Sequence, residues 1–164
     1  MKLDLNKIAV LENEAKWLEK KEDVIVSLAK AKAKSFEFND WYRYAKDQLH
    51  YTRERKEEIK NEIITIKATN IKVGDGISLS PWTDWDAYTV IERRDTPKGF
   101  VLTIQEDEAI RTDHNGMSDS QSYRFERNEN GRTAIVKWNS KKNWFTCGCY
   151  KVALGRHSYY DYSF

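Results

Sequence analysis

The sequence predicts an α+β protein in which a long N-terminal helical hairpin precedes a small antiparallel β module, either an SH3-like barrel or a bent sheet. All seven glycines and both prolines of the 164 residues lie after residue 73. Because glycine and proline break helices, residues 1–69 are predicted to be helical and residues 70–164 to form strands and turns. Heptad-like apolar spacing before this boundary and apolar–polar alternation after it favour the same division.

The predicted hairpin has two helical segments, from about Leu5 to Ala33 and from about Asn39 to Lys67. Apolar positions recur in each with gaps of three and four residues, which is typical of helices packed along one seam. Glu22 interrupts the first stripe, and Thr52 and Lys56 weaken the second. The stripes are Ile8, Leu11, Ala15, Leu18, Ile25 and Ala29, then Tyr42, Ala45, Leu49, Thr52, Lys56, Ile59, Ile63 and Ile66.

Further apolar side chains lie outside these stripes, namely Trp17, Val24, Trp41 and Tyr44. One seam buries little surface, so we expect the hairpin to pack on a second copy of the chain, which gives a homo-oligomer. The alternative is that the helices pack only against the β module.

Alternation in the second half predicts a series of short strands separated by turns. Asp95–Gly99 is a turn with a central proline, and Asn130-Gly131 is a hairpin signal. Short strands at this spacing favour the order found in SH3-like barrels. The predicted strands cover Ile77–Ser80, Ala87–Arg94, Phe100–Gln105, the region of Tyr123 and Phe125, Thr133–Trp138, Asn143–Thr146 and Tyr150–Leu154.

Composition excludes several classes of protein. Lys and Arg total 28 and Asp and Glu total 26, so the net charge is +2. We therefore do not expect a nucleic-acid partner, since phosphate neutralisation needs a basic surplus on one face. No apolar run has the length of a membrane span, and the N-terminus lacks the apolar stretch of a signal peptide. The expectation is a soluble cytoplasmic protein.

No catalytic or cofactor motif is present, so we predict a protein that is not an enzyme and has no cofactor. His114, Ser118 and Asp119 could be drawn as a triad, but no nucleophile elbow fixes their geometry.

Cys147-Gly148-Cys149 is the one cysteine pair. A zinc site there would have to recruit His114 and His157. We predict no metal, and instead a buried strand with a glycine bulge and two reduced thiols.

Two polar-aromatic clusters are candidate binding surfaces. Trp82, Asp84, Trp85 and Tyr88 could form stacking platforms at a barrel mouth, and the alternative is that Trp82 plugs one end of the barrel. The aromatic C-terminal tail, residues 155–164, should dock on the module or on a neighbouring subunit.

The segment Arg111–Ser120 is the longest polar loop in the chain, and we expect it either to be mobile or to be ordered by a ligand. Arg111 and Arg156 could grip an anionic ligand, and the alternative is an intramolecular ion pair. The predicted ligand-binding residues are Trp82, Asp84, Trp85, Tyr88, Arg111, His114, Gln121, Tyr123, Arg156 and Tyr159.

Several motifs between residues 70 and 164 together resemble a small protein family of bacteriophage and prophage genomes. The N-terminal hairpin departs from that pattern, since many members lack it. The motifs are Ser80-Pro81-Trp82-Thr83-Asp84-x-x-Ala87-Tyr88-Thr89-Val90-Ile91, Thr96-Pro97-Lys98, Gln121-Ser122-Tyr123-x-Phe125-Glu126, Asn130-Gly131-Arg132 and Gly155-Arg156-x-x-Tyr159-Tyr160-Asp161-Tyr162-x-Phe164.

The resemblance implies an accessory phage protein that acts against host defence inside the infected bacterium. The layout is similar to the first family of Thoeris anti-defence proteins, oligomeric sponges that hold cyclic ADP-ribose-type or cyclic oligonucleotide signals without cleaving them. It implies sequestration of a small anionic, nucleotide-type signal, and no site residue is transferred. The alternatives are a protein-binding inhibitor of a host defence nuclease, like an anti-CRISPR protein, and then a nucleic-acid-binding β-barrel.

Overall fold

The computed structural model describes residues 5–32 and 38–162, with side chains for residues 5–31 and 41–162. The chain divides into two compact units, Met1–Asn70 and Ile71–Phe164, and each is described by itself. Neither described helix has the length and apolar character that crossing a membrane requires.

The first unit is a hairpin of α1, Leu5–Lys32, and α2, Phe38–Thr69. Of the segment predicted to turn between them, residues 34–37 lie outside the described residues, and α2 begins at Phe38. Contacts join the start of α1 to the end of α2, as in the Lys7–Glu62 ion pair. Contacts near the middle, such as Glu22–Arg53, join later residues of α1 to earlier residues of α2. The helices are therefore antiparallel, as predicted.

The predicted apolar stripes form the seam of the hairpin. Leu11, Leu18 and Ile59 are buried together at its centre. Tyr42 is an exception, since 51% of it is exposed and the stripe of α2 is first buried at Ala45.

The polar interruptions of the two stripes meet each other in the seam. The Glu22 carboxylate accepts hydrogen bonds from Arg53 Nε at 2.7 Å and from Lys56 Nζ at 3.1 Å. Thr52 is fully buried, and its hydroxyl donates to the Gln48 carbonyl at 2.7 Å. Each polar group that lies on an apolar stripe therefore has a partner inside the hairpin.

The second unit is an all-antiparallel β module. Six strands form a sheet in the order β7-β6-β3-β2-β1-β8, and β4 and β5 form a second, two-stranded sheet. The edge strands β7 and β8 are joined by a tight turn, so the large sheet is a nearly closed barrel. Helices followed by this sheet confirm the predicted α+β class. The strands are β1 Gly76–Ser80, β2 Asp86–Thr96, β3 Gly99–Glu106, β4 Glu108–Arg111, β5 Tyr123–Glu126, β6 Thr133–Asn139, β7 Trp144–Thr146 and β8 Lys151–Leu154.

The prediction of a hairpin around Asn130-Gly131 is wrong. The turn itself exists, since Gly131 N donates to the Asn128 carbonyl at 3.0 Å. However, β5 pairs with β4, a strand that the sequence pattern did not reveal, and β6 pairs with β3 and β7. The turn lies against the end of β3, where Glu106 N donates to the Arg132 carbonyl at 2.9 Å. That contact leads the chain into β6 beside β3 and away from β5.

The barrel core is filled by alternate residues of its central strands. Val90, Leu102, Ile104 and Val136 are fully buried. The aromatic rings of Phe100, Trp138 and Phe145 extend this core, and the centroids of Trp138 and Phe145 are 4.6 Å apart.

The cysteine pair lies in the turn between β7 and β8, and not in a buried strand as predicted. Gly148 adopts a φ of +55°, which favours glycine and lets Cys147 bridge to Tyr150. Both thiols are free, but Cys147 is buried while Cys149 is exposed. The two cysteines therefore differ in environment although one residue separates them.

Candidate ligand groove beside the C-terminal tail

The C-terminal tail docks on the β module of its own chain, which is one of the two predicted alternatives. Tyr159 forms an antiparallel bridge with Trp85, with N···O distances of 2.9 and 3.1 Å. One step further along the tail, Asp161 N donates to Asp84 Oδ1 at 2.7 Å. The loop between β1 and β2 therefore holds the tail mainly through backbone and carboxylate contacts.

Gln121 holds the tail from the opposite side. Its Nε2 donates to the Tyr160 carbonyl at 2.6 Å, and its Oε1 accepts from Tyr160 N at 3.0 Å. Its amide therefore satisfies both backbone groups of one tail residue, as a neighbouring strand does in a β-sheet. The Tyr123 hydroxyl also donates to Gln121 Oε1, at 2.6 Å, and this contact fixes the orientation of the amide.

Arg111, the last residue of β4, joins the β4–β5 loop to Tyr162 of the tail. Its Nη1 donates to the Tyr162 hydroxyl at 2.6 Å, while Nε and Nη2 donate to the Asp113 carboxylate. The Arg111 guanidinium and two backbone N–H donors hold the pKa of Asp113 well below its usual range. Arg111 thus forms an intramolecular ion pair, the alternative to the anion-binding role predicted for it.

The loop between β4 and β5 closes on itself. Thr112 N donates to the Ser122 carbonyl at 2.8 Å, and Asn115 Nδ2 donates to the Ser120 carbonyl at 2.8 Å. The Tyr159 hydroxyl then ties the loop to the tail through Asp119 Oδ1 at 2.9 Å. This hydrogen bond to a carboxylate raises the pKa of Tyr159. These contacts join the two ends of the loop to each other and the loop to the tail.

The triad drawn from His114, Ser118 and Asp119 does not form in the described part of the chain. His114 is exposed, Ser118 Oγ accepts a bond from Ser120 N, and Asp119 binds the Tyr159 hydroxyl. The geometry gives no support to a nucleophilic hydrolase at this loop.

Two further predicted ligand-binding residues make their contacts inside the barrel. Tyr88 belongs to the barrel core, where burial and then the nearby Glu106 carboxylate raise its pKa to about 12. Arg156 Nε donates to the buried Asp107 carboxylate at 2.9 Å, so its guanidinium also forms an ion pair within the chain.

A groove with a volume of about 550 Å³ opens between the β1–β2 loop and the tail, and we call it the tail groove. Trp82 stands at this groove with 83% of its surface exposed, so it does not plug the barrel as the alternative prediction proposed. Tyr160 lies across from it and is 54% exposed. The lining residues are Pro81, Trp82, Thr83, Asp84, Lys151, Tyr160 and Asp161.

The tail groove is aromatic and acidic. Its carboxylates, Asp84 and Asp161, outnumber its one cation, Lys151. Aromatic faces beside carboxylates favour ammonium and guanidinium groups, because both the ring quadrupole and the negative charges attract a cation. The groove is therefore suited to a positively charged ligand.

The sequence-predicted residues Trp82 and Asp84 line the groove, whereas Tyr160, Asp161 and Lys151 were missed as lining residues. The three tyrosines of the tail and its one aspartate, Asp161, were a signal for the first two. Their position depends on the bridge to Trp85, which joins segments far apart in the sequence.

No group of three or more histidine, cysteine, aspartate or glutamate side chains suited to a metal ion occurs in the part of the chain that the structure describes. Comparisons with protein-family models, with curated proteins and with solved structures find no match. The phage-family resemblance of residues 70–164 stays a prediction.

Proposed function

We propose that this chain is a non-catalytic binding protein that holds an extended, cation-bearing segment of a partner protein in the tail groove. The observation that carries the proposal is Trp82, which is 83% exposed beside a half-exposed Tyr160 and two carboxylates.

A partner that covers Trp82 would gain a large binding free energy from that contact. Covering about 100 Å² more of the indole contributes roughly 2.5 kcal/mol at ~25 cal/mol per Å². A guanidinium placed over the ring adds about 0.5–2 kcal/mol. Because the indole is almost fully exposed, little of the fold depends on it.

The charge of the groove favours a basic segment over an anion. Asp84 and Asp161 repel a phosphate, and Arg111, one of the two arginines that the sequence offered for an anion, is paired with Asp113. Sequestration of a nucleotide-type signal, the first expectation from the sequence, stays a prediction without support from this groove. The expected alternative, a protein-binding inhibitor, fits its chemistry better.

The architecture is compatible with peptide binding. Aromatic-lined grooves on SH3-like barrels bind proline-rich, extended peptides, although this likeness is one of fold and not evidence of function. If the phage resemblance holds, the partner is a host defence protein, such as a nuclease, whose basic segment the groove covers.

The test uses a fluorescently labelled ten-residue proline-rich peptide with two arginines, and the same peptide with both arginines replaced by glutamate. We expect saturable binding of the basic peptide to the whole chain by fluorescence anisotropy. Trp82→Ala should weaken it at least about tenfold, because roughly 1.4 kcal/mol of contact is lost.

Trp144→Ala is the matched control, since Trp144 is an exposed tryptophan too, at 52%, but lies on β7 outside the groove. It should bind as the wild type does. Equal binding of both peptides, or equal losses in the two tryptophan variants, would contradict the proposal. Displacement of the basic peptide by ADP-ribose would instead favour the nucleotide reading.

We also infer that the hairpin associates with a second copy of the chain. Val10, Trp17 and Val24 recur every seven residues on α1 and are each more than half exposed. Lys21 Nζ lies 5.7 Å from the Trp17 ring and 5.9 Å from the Tyr51 ring, so both helices contribute to this face. A seven-residue apolar repeat is the pattern by which helices pair.

Sedimentation analysis tests the association. We expect a defined oligomer for the wild type and a monomer for Trp17→Glu, with helicity unchanged by circular dichroism. A monomeric wild type would contradict the inference and would leave the tail groove unaffected.

A further inference from the structure

We propose a second binding site, independent of the tail groove, that takes a small oxyanion of the phosphate type. It is a cavity with a volume of about 280 Å³ lined by Asp107, Phe125, Glu126, Arg127 and Arg156. We call it the arginine cavity.

The arginine cavity is built on a buried carboxylate. The Asp107 side chain is 1% exposed and accepts from Arg127 Nη1 at 2.8 Å and from Arg156 Nε at 2.9 Å. The Thr89 hydroxyl donates to the same carboxylate and accepts from Arg156 Nη2 at 2.6 Å. These contacts hold both guanidinium groups in place before any ligand arrives, which lowers the entropic cost of binding.

The four charged side chains that line the cavity, Asp107, Glu126, Arg127 and Arg156, balance to zero. Arg124, which does not line the cavity, pairs with Glu126 at 2.9 Å and adds one positive charge beside it. With Glu126 matched by Arg124, Asp107 faces two guanidinium groups, so the cluster as a whole carries one surplus positive charge. The side chains of Arg156 and Arg127 are 32% and 42% exposed. An anion in solution can therefore reach both guanidinium groups.

Hydrogen-bond donors remain for such an anion. Arg127 Nη2 donates to Gln105 Oε1, and Arg156 Nη2 donates to Thr89 Oγ1 and the Gly74 carbonyl. Within the described residues, Arg127 Nε and Arg156 Nη1 form no hydrogen bond. Guanidinium groups bind oxyanions through paired N–H donors, so two fixed arginines match the several oxygens of a phosphate.

The Phe125 ring forms another wall of the cavity. A flat aromatic face beside a phosphate site suits a phosphate carried on a ring system as well as the free ion. The shared chemistry is the phosphate group, and the experiment separates its sources.

The test is calorimetric titration of the whole chain with inorganic phosphate and with adenosine monophosphate, at fixed ionic strength. We expect saturable binding of at least one of them. Arg127→Gln should weaken it by about 10–100-fold, the loss expected for a charge-assisted hydrogen bond. Arg127→Lys should weaken it less, since it keeps the charge and loses the paired donors. Tighter binding of the nucleotide would assign the site to a phosphate carried on a base.

Arg94→Gln is the matched control, because Arg94 is an exposed arginine of β2 that does not line the cavity. It makes the same change of net charge and should bind as the wild type does. Absence of saturable binding for both probes, or equal weakening by Arg94→Gln and Arg127→Gln, would overturn the proposal. Neither result affects the peptide assay with Trp82→Ala, so the two proposals fail independently.

Discussion

Two carboxylates in different parts of the molecule, Glu22 in the hairpin and Asp107 in the β module, are each held by two basic side chains. Glu22 is 19% exposed and lies in the seam between two helices. Asp107 is 1% exposed and joins the segment that begins the tail, through Arg156, to strands of the barrel. The two carboxylates differ in burial. When an ion pair of Glu22 is broken, water can solvate the charges that are left, whereas little water can reach the charges around Asp107.

Asp107→Ala should give the largest effect. Removing the carboxylate leaves two guanidinium groups facing each other without a counter-charge, and we expect the β module to lose about 3 kcal/mol of unfolding free energy. Urea denaturation followed by near-ultraviolet circular dichroism measures this. Asp95→Ala, which breaks the exposed Arg93–Asp95 pair, should cost less than about 1 kcal/mol. Similar effects of the two variants would mean that burial does not separate these ion pairs.

The burial of Tyr88 in the barrel core can be tested at high pH. Its pKa in the folded state is about 12 because of burial, while an unfolded tyrosine titrates near 10. Between about pH 10 and 12 the unfolded state loses its proton first, so stability should fall as pH rises, by roughly 2–3 kcal/mol. In Tyr88→Phe this fall should be smaller in urea titrations across that range, and the part that remains belongs to other tyrosines such as Tyr159. An unchanged slope would place the alkaline sensitivity at another group.

Gln121→Ala should cost about 2 kcal/mol, because three hydrogen bonds to Tyr160 and Tyr123 are lost at about 0.5–1.5 kcal/mol each. Gln121→Glu keeps the two acceptor contacts but sets a carboxylate oxygen against the Tyr160 carbonyl oxygen in place of the donor, so it should destabilise at least as much as the alanine variant. Thermal melts of the three proteins provide the ranking. Peptide binding in the tail groove should weaken in the same order, since Tyr160 forms one wall of the groove.

Glu22→Ala should give a smaller effect than Gln121→Ala, about 1 kcal/mol, since its two ion pairs are partly exposed. Hydrogen bonds from Arg53 and then Lys56 lower the pKa of Glu22. Its contribution should therefore be complete above about pH 4.3, the usual glutamate pKa, and disappear as pH falls through the lower folded value. Urea titrations of wild type and variant at pH 7 and at acidic pH measure it. Glu54→Ala, at an exposed pair with His50, is the control and should change less at pH 7.

The hairpin could be predicted closely because its contacts follow one local rule. A gap of three or four residues places Leu11 and Leu18 on the same helix face, whatever the rest of the chain does. Even the interruptions at Glu22, Thr52 and Lys56 were visible, although only the structure shows that two of them pair with each other.

The β module could be predicted in outline only. Alternation located most strands, but β4 is short and half exposed, and it pairs with β5 across an eleven-residue loop. Asn130-Gly131 lies in a turn, but the strands on either side of it do not pair, because β6 pairs with β3 instead of β5.

The candidate site shows the same limit. Gln121, Arg111 and Tyr159 were predicted to bind a ligand because their chemistry suits one, and the structure uses their side chains for its own tail. A sequence shows which side chains can make strong contacts, but the partner depends on long-range pairing such as the Trp85–Tyr159 bridge.

Amide hydrogen exchange of the tail tests most directly the claim that these residues hold the tail and so form the groove. The N–H groups of Tyr159, Tyr160 and Asp161 donate to Trp85, Gln121 and Asp84 respectively. We predict that all three exchange at least about tenfold more slowly than in an unfolded chain, and that Gln121→Ala accelerates Tyr160 the most. Exchange of all three at the unfolded rate in the wild-type protein would contradict the account, because the tail would then not be held and the groove would lack one wall.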